Sequence, residues 1–283
     1  MKKIFLIFLI LILLVSSGAN AQYEDVIRFS SIEYYLMNKI IFKDVYKRNT
    51  EIMKMYVKKV TVVDEINNLL TETSIDKEGR VTGFKSYSTN GQPQDINAAY
   101  DIKNNLTGIF YKDYDGKAAE EKRFNYIGNT LFSYEYFLQD NELKDIELYE
   151  QCDMRYDNAA DKSMLTGFDS RLWQGDSIPY AVNFKYDSRS RLIDVRVVQD
   201  VVAIYDISYS GDTIKIVSGN GSGYETFIVK ENLIRKHIIY SEELSYRGER
   251  TFHYNENELV EFVSIEDSRG NKYRQSYVYD YYH

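Results

Sequence analysis

The sequence contains very little cysteine and proline, and each shortage excludes a class of structure. Cys152 is the only cysteine in 283 residues, which excludes an intramolecular disulfide and a cysteine-based zinc site. It alternates with apolar residues in IELYEQCDMRY, so we expect a buried, inert thiol. Pro93 and Pro179 are the only prolines, and proline cannot donate to a strand ladder. Long, uninterrupted β-hairpins are therefore compatible with the composition.

Motifs for metal binding and nucleophilic catalysis are also missing. His237, His253 and His283 are scattered and form no H-E-x-x-H or similar spacing. The stretch Asp113–Gly116 shares only its first residues with a calcium loop and lacks the terminal glutamate. There is no G-x-S-x-G elbow and no cysteine–histidine pairing. The sequence predicts no catalytic residue, no metal site and no cofactor.

Acidic residues leave one enzymatic alternative open. The neighbours Glu120-Glu121 and Glu242-Glu243 cannot converge on a strand, because adjacent side chains face opposite sides. Carboxylates from different hairpins could still meet in space, since the sequence gives no distance between them. A carbohydrate-active hydrolase built from such carboxylates therefore remains an alternative.

The charge balance bears on the partners. Lysine and arginine number 35 against 43 acidic residues, a formal net charge of −8. An acidic surface repels phosphate backbones, so the composition argues against nucleic acid as a partner.

The first residues form an export signal. Lys2-Lys3 precede the apolar run Ile4–Val15, and Ala19-Asn20-Ala21 places small residues at a cleavage site. The apolar run is shorter than the about 20 residues needed to span a membrane. We expect residues 1–21 to be a signal peptide, with no transmembrane segment after cleavage. The predicted destination is the periplasm, cell surface or exterior of a Gram-negative bacterium.

The next segment, 22–50, has a helical pattern. Apolar residues recur at roughly helical spacing between Val26 and Val45. This spacing predicts one short helix at about 31–46, although the abundance of isoleucine and tyrosine also suits a first strand pair. From Met53 to Val63 the residues alternate as a first long strand, and 51–283 forms the predicted repeat domain.

The repeat is an apolar or aromatic residue, any residue, tyrosine, a polar turn and an apolar residue, as in FKYDSRSRL. Successive anchors lie 20 to 30 residues apart. The nine anchor positions are Ile75, Tyr100, Tyr126, Tyr156, Tyr186, Tyr209, Val229, Tyr254 and Tyr279. Each copy suits a hairpin with a solvated turn, and 27 tyrosines fit a large β-sheet. The sequence predicts an antiparallel β-hairpin meander.

The anchors carry a family resemblance. Tyr100-Asp101, Tyr156-Asp157, Tyr186-Asp187 and Tyr279-Asp280 resemble the YD repeats of RHS-type proteins, and more closely their short exported relatives in Gram-negative bacteria. Lys77–Val81 looks like the D-x-x-G-R-L turn of that family. MORN-type hairpin repeats are a weaker resemblance. The RHS resemblance implies an open curved sheet or partial shell. Together with the helix expected from the spacing in 22–50, the predicted fold is mainly β with one short N-terminal helix.

One local stretch suggests a binding site. Trp173 is the only tryptophan and lies beside Arg171 and Gln174 in a long segment between copies. An aromatic ring next to these polar groups can stack on a sugar or anchor a protein partner. These three residues are the predicted ligand-binding residues. The alternative is that Trp173 fills a seam between hairpins.

The predicted function is an exported, non-enzymatic interaction or scaffold module for an envelope protein or polysaccharide. It would present an aromatic-rich curved face, because tyrosine and tryptophan give rigid contact area at low entropy cost. The hydrolase described above is the alternative. A third hypothesis is a structural spacer whose final strand, YVYDYYH, pairs with another chain.

Overall fold

The fold is described from a computed structural model. It describes residues 31–54, 56–87, 93–112, 118–139, 146–157, 164–172, 179–198, 202–219, 221–242 and 245–283. The predicted signal peptide lies outside these residues. The chain divides into unit 1, which comprises the residues up to Val81 together with Asp206–His283, and unit 2, Thr82–Tyr205.

Two helices precede the sheet, where the sequence predicts one. They are α1 (Ile32–Ile41) and α2 (Lys43–Met53), separated by Phe42, whose φ of −104° and ψ of 21° interrupt the helical backbone. Tyr35, Leu36 and Met37 of α1 are buried, as are Val45 and Met53 of α2. Among the described residues, no helix is long and apolar enough to cross a membrane.

Eighteen strands follow in the described chain. Their bounds are β1 (Val57–Val63), β2 (Leu69–Ile75), β3 (Val81–Tyr87), β4 (Pro93–Tyr100), β5 (Leu106–Lys112), β6 (Ala118–Ile127), β7 (Thr130–Gln139), β8 (Ile146–Asp157), β9 (Met164–Leu172), β10 (Ala181–Tyr186), β11 (Leu192–Val198), β12 (Val202–Ser210), β13 (Thr213–Ser218), β14 (Gly223–Lys230), β15 (Leu233–Ser241), β16 (Tyr246–Tyr254), β17 (Val260–Glu266) and β18 (Lys272–Tyr281).

The expectation of an open curved sheet or partial shell is wrong, because the ladder closes. Neighbours in the hydrogen-bond order are neighbours in sequence, and β1 pairs antiparallel with both β2 and β18. The strand order is that of a closed, eighteen-stranded antiparallel β-barrel. The spacer hypothesis fails for the same reason: the final strand lies against β1, with Tyr277 opposite Val62, and is not a free edge.

Anchor tyrosines such as Tyr186 join a hairpin to the hairpin before it. Tyr186 at the end of β10 donates its hydroxyl hydrogen to the backbone oxygen of Leu165 at 2.7 Å. Tyr254 makes the same bond to Ile234 at 2.6 Å. Bonds of the same kind join Tyr156 to Leu131 and Tyr279 to Val260. These rings are partly buried and hydrogen-bonded, so the anchors do not form the exposed aromatic face that the sequence suggests.

The aspartate that follows an anchor tyrosine organises the turn. Asp187 accepts hydrogen bonds from the backbone N–H groups of Arg189 and Arg191 and from the Arg191 side chain. Bonds from the backbone and then the side chain of Arg191 lower the pKa of Asp187. Ser190, just before Arg191, has a φ of 59°. The tight polar turn inferred from the repeat is thus an aspartate-capped turn that needs one left-handed residue.

The helices of unit 1 pack against the inner face of its strands. The ring of Phe42 meets Phe227 of β14 edge to face, with centroids 4.7 Å apart. Arg48 of α2 forms an ion pair with Glu258 in the turn between β16 and β17. Burial of apolar side chains at this contact is the main source of its stability.

Replacing Gly79 with alanine tests the contact between α2 and the turn after β2. A Cβ on Gly79 would lie 2.2 Å from the backbone oxygen of Thr50, and the φ of Gly79 is +79°. Gly270 has a φ of +77° in a matching turn but meets nothing within 4 Å. We expect Gly79→Ala to lower the free energy of unfolding by about 1–3 kcal/mol more than Gly270→Ala, because only the former adds a backbone clash. Urea unfolding of both variants measures the difference, and equal losses would contradict the packing.

Candidate functional site

A buried polar cluster lies on the inner face of unit 2. Lys122 of β6 stands opposite Tyr136 of β7, and Tyr136 is the neighbour of Glu150 on β8. The next row places Tyr111 of β5 opposite Glu120 of β6. These five residues are called the Lys122 cluster below. Strand register brings them together, because alternate residues share one face of a sheet.

The environment of Lys122 makes its amine unusual. The side chain is only 4% exposed and donates a hydrogen bond to the Tyr111 hydroxyl at 3.0 Å. Its ammonium lies 4.7 Å from the centroid of the Tyr111 ring and 5.5 Å from that of Tyr136. Burial lowers the pKa of Lys122 to about 8, although the carboxylates of Glu120 and Glu150 oppose the shift. Tyr136 donates to Glu120 at 3.0 Å.

Glu150 is held by donors from two further segments. It accepts hydrogen bonds from the hydroxyls of Ser170 on β9, at 2.7 Å, and Tyr180, at 2.6 Å. The Cys152 thiol lies 3.4 Å from the same oxygen. Several donors on one carboxylate fix its orientation. Cys152 forms no disulfide and is fully buried, as its alternation with apolar residues predicts.

The cluster has the residue types of an acid–base site. It combines two carboxylates from different strands with a lysine whose pKa lies near neutrality, and a desolvated lysine can act as a base or nucleophile. The hydrogen bonds within the protein also satisfy these groups, as in a structural polar network. Lys122 and Glu150 were not singled out from the sequence. Their positions in the strand alternation could have revealed Lys122 and Glu150, because they lie on the same face as Phe124 and Cys152, which is otherwise apolar.

A second polar cluster lies on the inner face of unit 1. His237 of β15 is buried, and its Nε2 lies 2.8 Å from a carboxylate oxygen of Glu225 on β14. The other oxygen of Glu225 accepts a hydrogen bond from Tyr34 of α1 at 3.4 Å. The His237 ring stacks on Phe227 with centroids 4.1 Å apart. Burial lowers the pKa of His237; Glu225 opposes the shift and Arg250 adds to it.

The predicted ligand-binding residues are not brought to these clusters by any described contact. Arg171 lies on the exposed face of β9 and pairs with Asp153 of β8 at 3.2 Å. Trp173 and Gln174 lie outside the described residues, so their role stays a prediction. Ser170, next to Arg171, faces inward to Glu150.

The other candidates are placed as follows. Glu120 faces the Lys122 cluster, whereas Glu121 pairs with Arg123 at 2.6 Å, so these neighbours do face opposite sides. Glu243 and the Asp113–Gly116 stretch lie outside the described residues. Within the described ranges, no three histidine, cysteine, aspartate or glutamate side chains are grouped as a metal site requires.

Lys122 should make the free energy of unfolding increase as the pH rises above about 8. Between about 8 and its ordinary pKa of 10.5, the unfolded chain binds a proton that folded Lys122 has lost, so the free energy of unfolding increases with pH. We expect Lys122→Met to abolish this increase between about pH 7.5 and 9.5. Urea unfolding at several pH values measures it, with Lys272→Met as an exposed control. Parallel curves for wild type and Lys122→Met would contradict the assignment.

His237 should make unit 1 sensitive to acid. Its pKa in the folded protein lies below the ordinary value of 6.5, so the unfolded chain binds the proton first as the pH falls. The contribution of His237 to stability is therefore present above 6.5 and lost as the pH falls through the folded-state pKa. Thermal unfolding between about pH 7.5 and 5 should show a smaller acid loss for His237→Gln than for wild type. His253→Gln, at a half-buried position on the outward face of β16, is the control and should behave as wild type does.

No family model matches the chain, and no curated protein matches it. The assignment to RHS/YD-type or MORN-type repeat families is wrong, because the anchor tyrosines belong to hairpins of a sheet whose first and last strands pair.

Two solved structures share coarse similarity with the chain. A porin-like protein from Bacteroides uniformis ATCC 8492 is 12% identical, with 79% of this chain and 96% of that chain covered and a TM-score of 0.38. A porin-like protein from Bacteroides vulgatus ATCC 8482 is 13% identical, with 80% and 99% covered and a TM-score of 0.32.

Proposed function

We propose that the chain is an exported, non-enzymatic interaction module of the cell envelope, with an envelope protein or a polysaccharide as its partner. The observation that supports the proposal is that the inward-facing carboxylates are hydrogen-bonded to side chains of the protein itself. Glu150 is held by Ser170 and Tyr180, and Glu120 by Tyr136. Carboxylates fixed by internal donors stabilise a fold, and the surface that remains for a partner is the exposed face of the sheet.

The exposed faces support a partner in water. In unit 1, Lys59 of β1 pairs with Glu72 at 2.9 Å and with Asp280 at 3.3 Å. In unit 2, Arg155 pairs with Asp169 at 3.2 Å. The lipid-facing band of a membrane barrel is apolar, because a charge in hydrocarbon costs several kcal/mol. Cross-strand ion pairs on these faces favour contact with water and polar partners over contact with lipid.

The compartment follows from the N-terminal segment. A basic start, an apolar run and small residues before Gln22 are typical of a signal peptide. Export through the inner membrane of a Gram-negative bacterium would deliver the chain to the periplasm or the cell surface.

A hydrolase acting on carbohydrate is the second candidate, and the Lys122 cluster is the observation that favours it. Glu120 and Glu150 come from different strands, as the alternative from the sequence requires, and both act on Lys122 electrostatically. In that case Glu150 and Glu120 would share the acid and base roles on a sugar substrate.

Capture from a cell-envelope extract distinguishes the two functions. Residues 22–283 are immobilised, and bound protein and bound glycan are identified separately, with glycan length followed over time. We expect the wild-type chain to retain a partner while the glycan length stays constant. Trp173→Ala should lose the partner, and Tyr281→Ala, an exposed aromatic control, should keep it. Shortening of the glycan that disappears with Glu150→Gln would refute the non-enzymatic function and support the hydrolase.

A further inference from the structure

The exposed face of β13–β16, all in unit 1, has a regular arrangement of side chains. Register places Val217, Tyr224, Tyr240 and Arg247 in one row across the four strands. Buried side chains on the same strands, such as Ile239, occupy the opposite face. Neighbouring strands lie about 4.8 Å apart, so the row is about 14 Å wide. These strands present an open strip and are called the β13–β16 face.

Two tyrosines at the centre of this face are fixed between cations. The rings of Tyr224 and Tyr240 stack with centroids 5.0 Å apart and an angle of 22° between their planes. The ammonium of Lys215 lies 4.6 Å from the centroid of the Tyr224 ring. Arg247 is exposed and stands opposite Tyr240 on the other side. The cation–π contact of Lys215 and the stacking of the two rings hold them in place, which leaves their hydroxyls and edges as preorganised contact groups.

The charge of this face is opposite to that of the chain. Its cations are Lys215, Lys236 and Arg247. The structure describes every residue of these four strands, and Glu249 is the only carboxylate at their outward positions. Glu249 is paired with Lys236. The chain as a whole has a formal charge of −8, so a locally positive strip is a specific feature and not a consequence of composition.

A groove extends the positive strip towards the turn after β14. Ile228, Lys236 and Thr251 form its floor as another cross-strand row. Its remaining lining residues are Asp212, Lys230, Glu231 and Arg235. Arg235 pairs with Glu231 at 3.4 Å. The groove is open along the face, which suits an extended polymer better than an enclosed small molecule.

We propose that the β13–β16 face binds an acidic polysaccharide, a sugar chain that bears carboxylates. The proposal rests on the proposed function and names its partner class. Lysine and arginine would pair with the carboxylates, while tyrosine edges and hydroxyls would contact the sugar rings. An extended chain would follow the strip from Arg247 across Tyr240 into the groove beside Lys236.

Polygalacturonate is the probe for this proposal. Binding to the full mature chain is measured by calorimetry, with dextran as a neutral sugar, poly-L-glutamate as a carboxylate polymer without sugar, and oligothymidylate as a phosphate polymer. We expect polygalacturonate to bind most tightly and its affinity to fall as salt increases, because ion pairs on an exposed face are screened. Equal or tighter binding of dextran, poly-L-glutamate or oligothymidylate would overturn the assignment to an acidic polysaccharide.

A charge-matched pair of variants locates the site. The double variant Lys215→Gln/Arg247→Gln should weaken polygalacturonate binding about tenfold or more, since it removes both flanking cations. Lys58→Gln/Lys272→Gln removes the same charge from exposed positions on other strands and should change affinity less than about twofold. Equal losses in the two double variants would show a general charge effect and refute the site. Urea unfolding of each variant identifies any loss of affinity caused by misfolding. Tyr240→Phe, which retains the ring and removes the hydroxyl, gives a second test. Unchanged affinity of this variant for polygalacturonate would count against a sugar contact by the hydroxyl.

The outcomes separate this inference from the proposed function. If the chain captures an envelope partner and Lys215→Gln/Arg247→Gln still captures it, the β13–β16 face is not the site and the interaction function stands. If polygalacturonate binds through this face but is shortened with time, the site stands and the non-enzymatic function fails.

Discussion

The closed ladder of backbone hydrogen bonds is the constraint on which the rest of the structure depends. A free edge would leave a row of unpaired N–H and C=O groups on β1 and on the tyrosine-rich β18. Pairing of these two strands satisfies both rows. Because side chains alternate along a strand, closure also divides each strand into an inward and an outward set. Every inward polar group must then find a partner inside the protein, since an unsatisfied buried donor or acceptor is costly.

The inner faces show how that requirement is met. Tyr156, Tyr186, Tyr254 and Tyr279 have partly buried rings and donate their hydroxyl hydrogens to backbone oxygens of the preceding hairpin. Lys122 is compensated by Tyr111 and by the nearby carboxylates, and His237 is compensated by Glu225. Protonation of Lys122 couples stability to pH in the alkaline range, and protonation of His237 does so in the acid range. Interaction with a partner is consequently left to the outward set, where lysine, arginine and the Tyr224–Tyr240 pair lie.

The candidate site was only partly accessible from the sequence. The outward position of Glu121 beside an inward Glu120 follows from strand alternation alone, and so does the burial of Cys152. The same alternation marks Lys122 and Glu150 as inward, but their meeting across Tyr136 depends on the registers of β6, β7 and β8. Register shifts occur between β6 and β7 and between β7 and β8, and each shift changes which residues stand opposite each other. A search for sequence motifs therefore could not assemble the cluster.

The hairpins can be predicted from the amino-acid sequence, because their causes are local. The apolar alternation, the aspartate of turns such as Asp187–Arg191 and the residue with positive φ act within one copy of the repeat. It also indicated helical structure before the sheet, although the break at Phe42 was not evident. Closure of the hairpins into one ring depends instead on the pairing of strands that are distant in sequence, β1 and β18. Contacts such as that of Tyr282 with Ile75 join residues 207 positions apart, and no local preference encodes which distant strand will cover an edge.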